Sequence, residues 1–129
     1  MTKTIQTFLA FAILLAAASA MAHPPSEIKL SFDAKSRLLQ VTVMHDTKKP
    51  EEHFIKSIQI RINGKDAVKQ GYFKQTDPLK RPASYLIEDV KAGDEVSVTG
   101  ECSVFGKKIE TLITQNAKQV DNTSSKRNT

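Results

Sequence analysis

Cysteine is almost absent from this chain: Cys102 is the only one among 129 residues. That excludes a disulfide within the chain. Long apolar runs are also missing. The longest, residues 8–18, falls short of the roughly 20 residues a membrane-spanning helix needs. Basic residues never form a run interleaved with aromatics, as a nucleic-acid groove requires. The net charge of +5 is scattered, which describes a solvated surface with no nucleic-acid partner. Beyond the first 22 residues no stretch has helical periodicity, and no internal repeat is visible.

The apolar run has a meaning of its own. It follows the basic Lys3 and precedes Ala20-Met21-Ala22, a small-x-small cleavage signal, so residues 1–22 read as a secretory signal peptide. Cleavage after Ala22 makes His23 the first residue, while Ala18-Ser19-Ala20 offers a second position. The expected location is outside the cytoplasm, in the periplasm. Residues 118–129 are polar and unpatterned, as a frayed tail is. Between them, residues 23–117 form one domain with one core, too small for a multidomain enzyme or a large nucleotide-binding fold. In an oxidising compartment a lone thiol must be buried, paired between chains, or engaged with a metal.

Alternation of apolar and polar residues predicts seven strands. Ile28, Leu30 and Phe32 mark the first, and Leu39, Val41 and Val43 the second, with His45 in the same phase. The third runs over residues 53–62, carrying Ile58, Ile60 and Ile62 on one face, and ends at the tight-turn pair Asn63-Gly64. A weaker fourth covers residues 67–73. A polar loop with two prolines, residues 74–82, precedes a fifth strand around Tyr85 and Ile87. Val96, Val98, Gly100, Cys102 and Val104 define the sixth, and Ile109, Thr111 and Ile113 the seventh. Seven short strands separated by turn signals indicate an all-β, immunoglobulin-like antiparallel sandwich.

Antiparallel succession sorts strand ends into two poles. His23, His45, His53 and Cys102 all fall at one pole, about a one-in-eight coincidence for four residues. Imidazole and thiolate are ligands for iron, copper or zinc, whereas carboxylate-only sites suit magnesium or calcium. Ligands that surround one ion must converge from separate segments, and loops at the end of a rigid sandwich can supply that convergence.

The segment Pro50-Glu51-Glu52-His53-Phe54-Ile55-Lys56-Ser57-Ile58, with His45 upstream, resembles the iron-binding segment of the superoxide reductases (the desulfoferrodoxin and neelaredoxin family). Cys102-Ser103-Val104-Phe105-Gly106 is similar to that family's second segment. The resemblance implies a mononuclear iron on an immunoglobulin-like sandwich, with His45 and His53 as equatorial ligands and Cys102 as the axial thiolate. His23 corresponds to an N-terminal histidine. It also implies a small oxygen-derived anion as substrate and a separate electron donor. Three features depart from the family. Phe105 stands where its fourth histidine would be, and the interval from His45 to His53 holds seven residues, longer than usual. The family's lysine-histidine start is missing as well, so Lys48 and Lys49, between the two loop histidines, are the candidates for attracting the anion.

Two other readings come from the residues. A chain that begins at His23 can chelate an ion with its amine and imidazole, a copper-carrier arrangement. Pro24 has no amide N–H, which excludes a site built through a deprotonated second amide. Alternatively, the sandwich is a metal-free interaction domain, since fold alone does not fix function. Hydrolase chemistry lacks support. Ser84, Ser97 and Ser103 have no nucleophile-elbow glycines, and Glu51-Glu52 are adjacent, without the fixed separation that paired-carboxylate mechanisms need.

Overall fold

The computed structural model describes residues 23–116. The expected signal peptide at 1–22, both expected cleavage positions and the expected tail at 118–129 lie outside the described residues. Seven strands occur in order: β1 (Glu27–Asp33), β2 (Leu38–Met44), β3 (Ile55–Ile62), β4 (Lys65–Gly71), β5 (Lys80–Leu86), β6 (Glu95–Cys102) and β7 (Lys107–Ile113). They form two antiparallel sheets, β1-β2-β5 and β4-β3-β6-β7, with no helix among the described residues. The architecture is the expected all-β sandwich of immunoglobulin-like type. Its strand order is not a simple meander: β3, β5 and β6 each begin after the chain has crossed to the other sheet. The fourth strand pairs with β3, whereas in constant-type immunoglobulin domains it joins the first sheet.

The core forms where the period-two faces of the two sheets meet. Ile28, Leu39, Val41, Val43 and Tyr85 from one sheet face Ile58, Ile60, Val96 and Val98 from the other. Each such aliphatic side chain contributes about 1.5–3 kcal/mol through its removal from water. Gly100 lies in the inner row of β6 against Val43: a Cβ there would stand 3.0 Å from that side chain, so Val43 would have to give by a few tenths of an ångström.

The structure corrects several expected details. β5 begins at Lys80, so Pro82 lies within a strand rather than in the preceding loop. It is tolerated because β5 is an edge strand, where the missing N–H breaks no ladder bond on the open side. Ile87 lies beyond the strand end, though buried. β3 starts at Ile55, leaving His53 in the loop before it, and β6 stops at Cys102, leaving Val104 exposed. In β7 the phase of Ile109 and Ile113 faces outward, while Leu112 packs against the core. An edge strand has one neighbour, and its alternation alone cannot say which face is covered.

Candidate metal centre

His45 comes directly after the last residue of β2, and its main chain prolongs the β2–β5 pairing. His45 N–H donates to Leu79 C=O at 2.9 Å, and Thr47 N–H to Pro78 C=O at 2.8 Å. The side chain is fully buried. His53 closes a single helical turn in which the Lys49 carbonyl accepts from Glu52 N–H and from His53 N–H, the latter at 2.8 Å. Immediately after it, the β3–β6 register shifts between Ile55 and Ser57, so that Lys56 is an extra residue on β3. This bulge turns Ile55 inward, out of phase with Ile58 and Ile60, and sets the direction in which the chain enters β3.

Ser103 clamps the segment from the other side. Its N–H donates to Phe54 C=O at 2.8 Å, and its hydroxyl accepts from Phe54 N–H at 3.0 Å. The β6–β7 turn thus fixes the His53 loop directly, and this serine has a structural task unrelated to nucleophilic chemistry. His23 is held more loosely, through its next three residues. Pro25 is buried, Ser26 N–H donates to Met44 C=O at 2.9 Å, and Pro24 lies against Gly106. A Cβ on Gly106 would stand 2.6 Å from Pro24, and its φ of +85° also favours glycine.

These three anchors bring three imidazoles together. One ligand atom from each of His23, His45 and His53 lies within 4.8 Å of the others. The His45 and His53 rings are 4.6 Å apart and nearly perpendicular, and their Nε2 atoms face each other at 3.2 Å. Two nitrogens bound to one ion at about 2.1 Å, with roughly 90–110° between them, stand roughly 3.0–3.4 Å apart. The observed spacing therefore suits two adjacent ligands of one metal ion.

A buried residue absent from the sequence expectations completes the surroundings. Gln75 accepts at Oε1 from Ile55 N–H (3.2 Å) and hydrogen-bonds His45 Nδ1 through the same atom (3.0 Å). Its Nε2 donates to His45 C=O at 2.7 Å and to Asp77 C=O at 2.9 Å. Nothing local in the proline-containing loop marks this glutamine; only the tertiary structure buries it.

Burial lowers the pKa of His45, the nearby His53 and His23 lower it further, and the Gln75 hydrogen bond opposes the shift. His53 is lowered by burial and by His23. Both are thus neutral at neutral pH, the state in which imidazole binds metal.

Cys102 lies at the same pole, buried, and pairs in register with Ile55 two residues past His53. Its N–H donates to Gly106 C=O at 2.9 Å, and its sulfur accepts from Val104 N–H at 3.4 Å. The converging group itself consists of the three histidines. Phe105, which the resemblance set in the place of a histidine, is exposed. Lys48 and Lys49 are both exposed on the loop between the histidines, and Lys49 pairs with Glu52 at 3.5 Å.

No known family model matches the chain, and no curated protein matches it. Fold and site together define the class: a small two-sheet β-sandwich carrying a three-histidine cluster at one pole, able to hold a metal ion.

Proposed function

We propose that the protein is an exported, mononuclear metal-binding redox protein that holds iron and resembles the superoxide reductases. The observation that carries this reading is the 3.2 Å spacing of the His45 and His53 Nε2 atoms, with His23 converging on the same point. His45, His53 and His23 supply imidazoles, and Cys102, buried at the same pole but outside the converging group, is the sulfur ligand that the resemblance adds. Iron held by this set offers one-electron reduction of superoxide or a related oxygen-derived anion, with a separate donor returning the electron.

The protein's own residues have three tasks. The buried pole keeps His45 unprotonated. The exposed side at His23 leaves a path for a small molecule. Lys48 and Lys49, exposed on the loop between His45 and His53, are the candidates for attracting the anion, an effect strongest at low ionic strength.

Metal content and visible absorption of protein isolated from its native compartment test the reading. A thiolate-to-ferric band that disappears in Cys102→Ser is the expected result. Metal-free protein from metal-replete cells would instead favour an interaction domain. A copper carrier is the second reading, favoured by the exposure of His23 within the cluster. Cleavage after Ala22 would add its amine as a donor, and copper in the isolated protein without a thiolate band would select this alternative. Zinc is compatible with the same donors but supplies no redox step.

A further inference from the structure

We propose that Gln75 is a positioning residue that fixes the proton of His45 on Nδ1 and thereby commits Nε2 to the metal. The inference rests on reading the histidine cluster as a metal site. It is carried by the hydrogen bonds of one buried side chain, 2% exposed.

The orientation of the Gln75 amide is determined by its partners. Its oxygen faces Ile55 N–H, which can only donate, and its nitrogen faces the carbonyls of His45 and Asp77, which can only accept. Flipping the amide would oppose a donor to a donor at one end and acceptors to an acceptor at the other. The atom that meets His45 Nδ1 is therefore an acceptor, so Nδ1 carries the proton. Nε2 is left with a bare lone pair directed at His53.

Without that acceptor the ring has a competing arrangement. The proton moves to Nε2 and is donated to His53 Nε2, which ties up both metal-binding nitrogens in a hydrogen bond with each other. Gln75 removes His45 as the donor of that bond, so its Nε2 lone pair stays available, and only the reverse bond from His53 Nε2–H remains to compete with a metal. Because the same amide grips the His45 carbonyl and the start of β3, ring tautomer and ring position are set together. An outer partner of this kind typically changes metal affinity roughly 10–100-fold. A neutral amide also leaves the imidazole neutral, whereas a carboxylate at this position would draw the Nδ1 proton and make Nε2 a stronger donor.

The test compares the mature wild-type chain with Gln75→Leu and Gln75→Glu. Long-range ¹H–¹⁵N NMR reads the His45 tautomer in metal-free protein, and cobalt(II) titration followed by visible absorption reads affinity. Wild type and Gln75→Glu are expected to hold the proton on Nδ1. Gln75→Leu is expected to populate the Nε2–H form and to bind cobalt about 10–100-fold more weakly. A Gln75→Leu protein that keeps Nδ1–H, or binds cobalt within twofold of wild type, overturns the proposal. If Gln75→Leu fails to fold, Gln75→Glu decides. Its carboxylate keeps an acceptor for Nδ1 but cannot donate to the His45 and Asp77 carbonyls, so the tautomer alone is read: retention of Nδ1–H supports the proposal and its loss overturns it. Wild type that binds no cobalt would sink the metal reading, while its His45 tautomer would still decide the role of Gln75.

Discussion

His45 and His53 stand 3.2 Å apart at Nε2 yet differ in how much structure depends on them. His53 is half-buried in a loop, and its side chain has His45 as its hydrogen-bond partner. His53→Ala should weaken cobalt or iron binding by at least about 100-fold, more than the loss of an outer partner costs, with stability changed by only about 1 kcal/mol or less. His45 is fully buried and hydrogen-bonded to Gln75, so His45→Ala should lose binding and also about 1–3 kcal/mol of folding stability. Metal titration and urea unfolding of the two variants separate these effects. Equal destabilisation by both would mean that the burial difference has no energetic weight.

At the scale of the element, the β6–β7 turn governs the site without supplying an imidazole. Gly106 gives Pro24 room to pass, and Ser103 grips the chain on either side of the Phe54 peptide. Gly106→Ala should therefore act at a distance. The Cβ meets Pro24 at 2.6 Å and also strains a φ of +85°, so the segment carrying His23 must shift and disturb its convergence with the other two histidines. The expected result is a loss of about 1 kcal/mol or more of stability together with weaker metal binding. The contact between His45 and His53 should persist, because neither residue lies on that segment. β7 offers a separate check on the corrected phase. Ile113→Lys, on the outward face, should change stability by less than about 0.5 kcal/mol, whereas Leu112→Lys should destabilise clearly. Thermal unfolding of both variants distinguishes the faces.

Across the whole molecule, the sandwich buries groups that titrate on either side of neutrality, and these set a pH window. His45 and His53 have folded pKa values below the ordinary 6.5, chiefly through burial. Below pH 6.5 the unfolded chain binds protons that the folded one refuses, so stability of the metal-free protein should fall as the solution is acidified through that pH toward their folded pKa values. Tyr85 has the opposite sign of charge and the same physical cause. Burial, then its hydrogen bond with Tyr72, pushes its pKa far above 10.0, so the unfolded chain ionises first above that pH and stability should fall again. Urea unfolding as a function of pH should show a plateau between about 6.5 and 10. Saturating metal should hold the acid limb to lower pH, because ligand-bound imidazoles compete with protons.

Strand count, the turn at Asn63-Gly64, and the pole on which the three histidines fall were readable from the chain alone. Period-two alternation and positive-φ turn residues are local properties, and end-sorting needs only antiparallel succession. The start of β5 was not readable, because a proline is permitted in a strand only when that strand is an edge. Nor was the outward phase of Ile109 and Ile113, since an edge strand's covered face depends on its neighbours. End-sorting grouped Cys102 with the three histidines, and the resemblance to superoxide reductases made it the axial ligand. Tertiary structure defined the converging group as His23, His45 and His53, and placed the thiol at the same pole, its residue in register with Ile55. Gln75 could come only from the folded chain: a loop glutamine has no signature until burial leaves its amide to be satisfied by a histidine ring, an N–H and two carbonyls. Sequence determines what repeats along a strand. Only packing decides what meets across thirty residues of chain, because desolvation forces each buried polar group to find its partner in space.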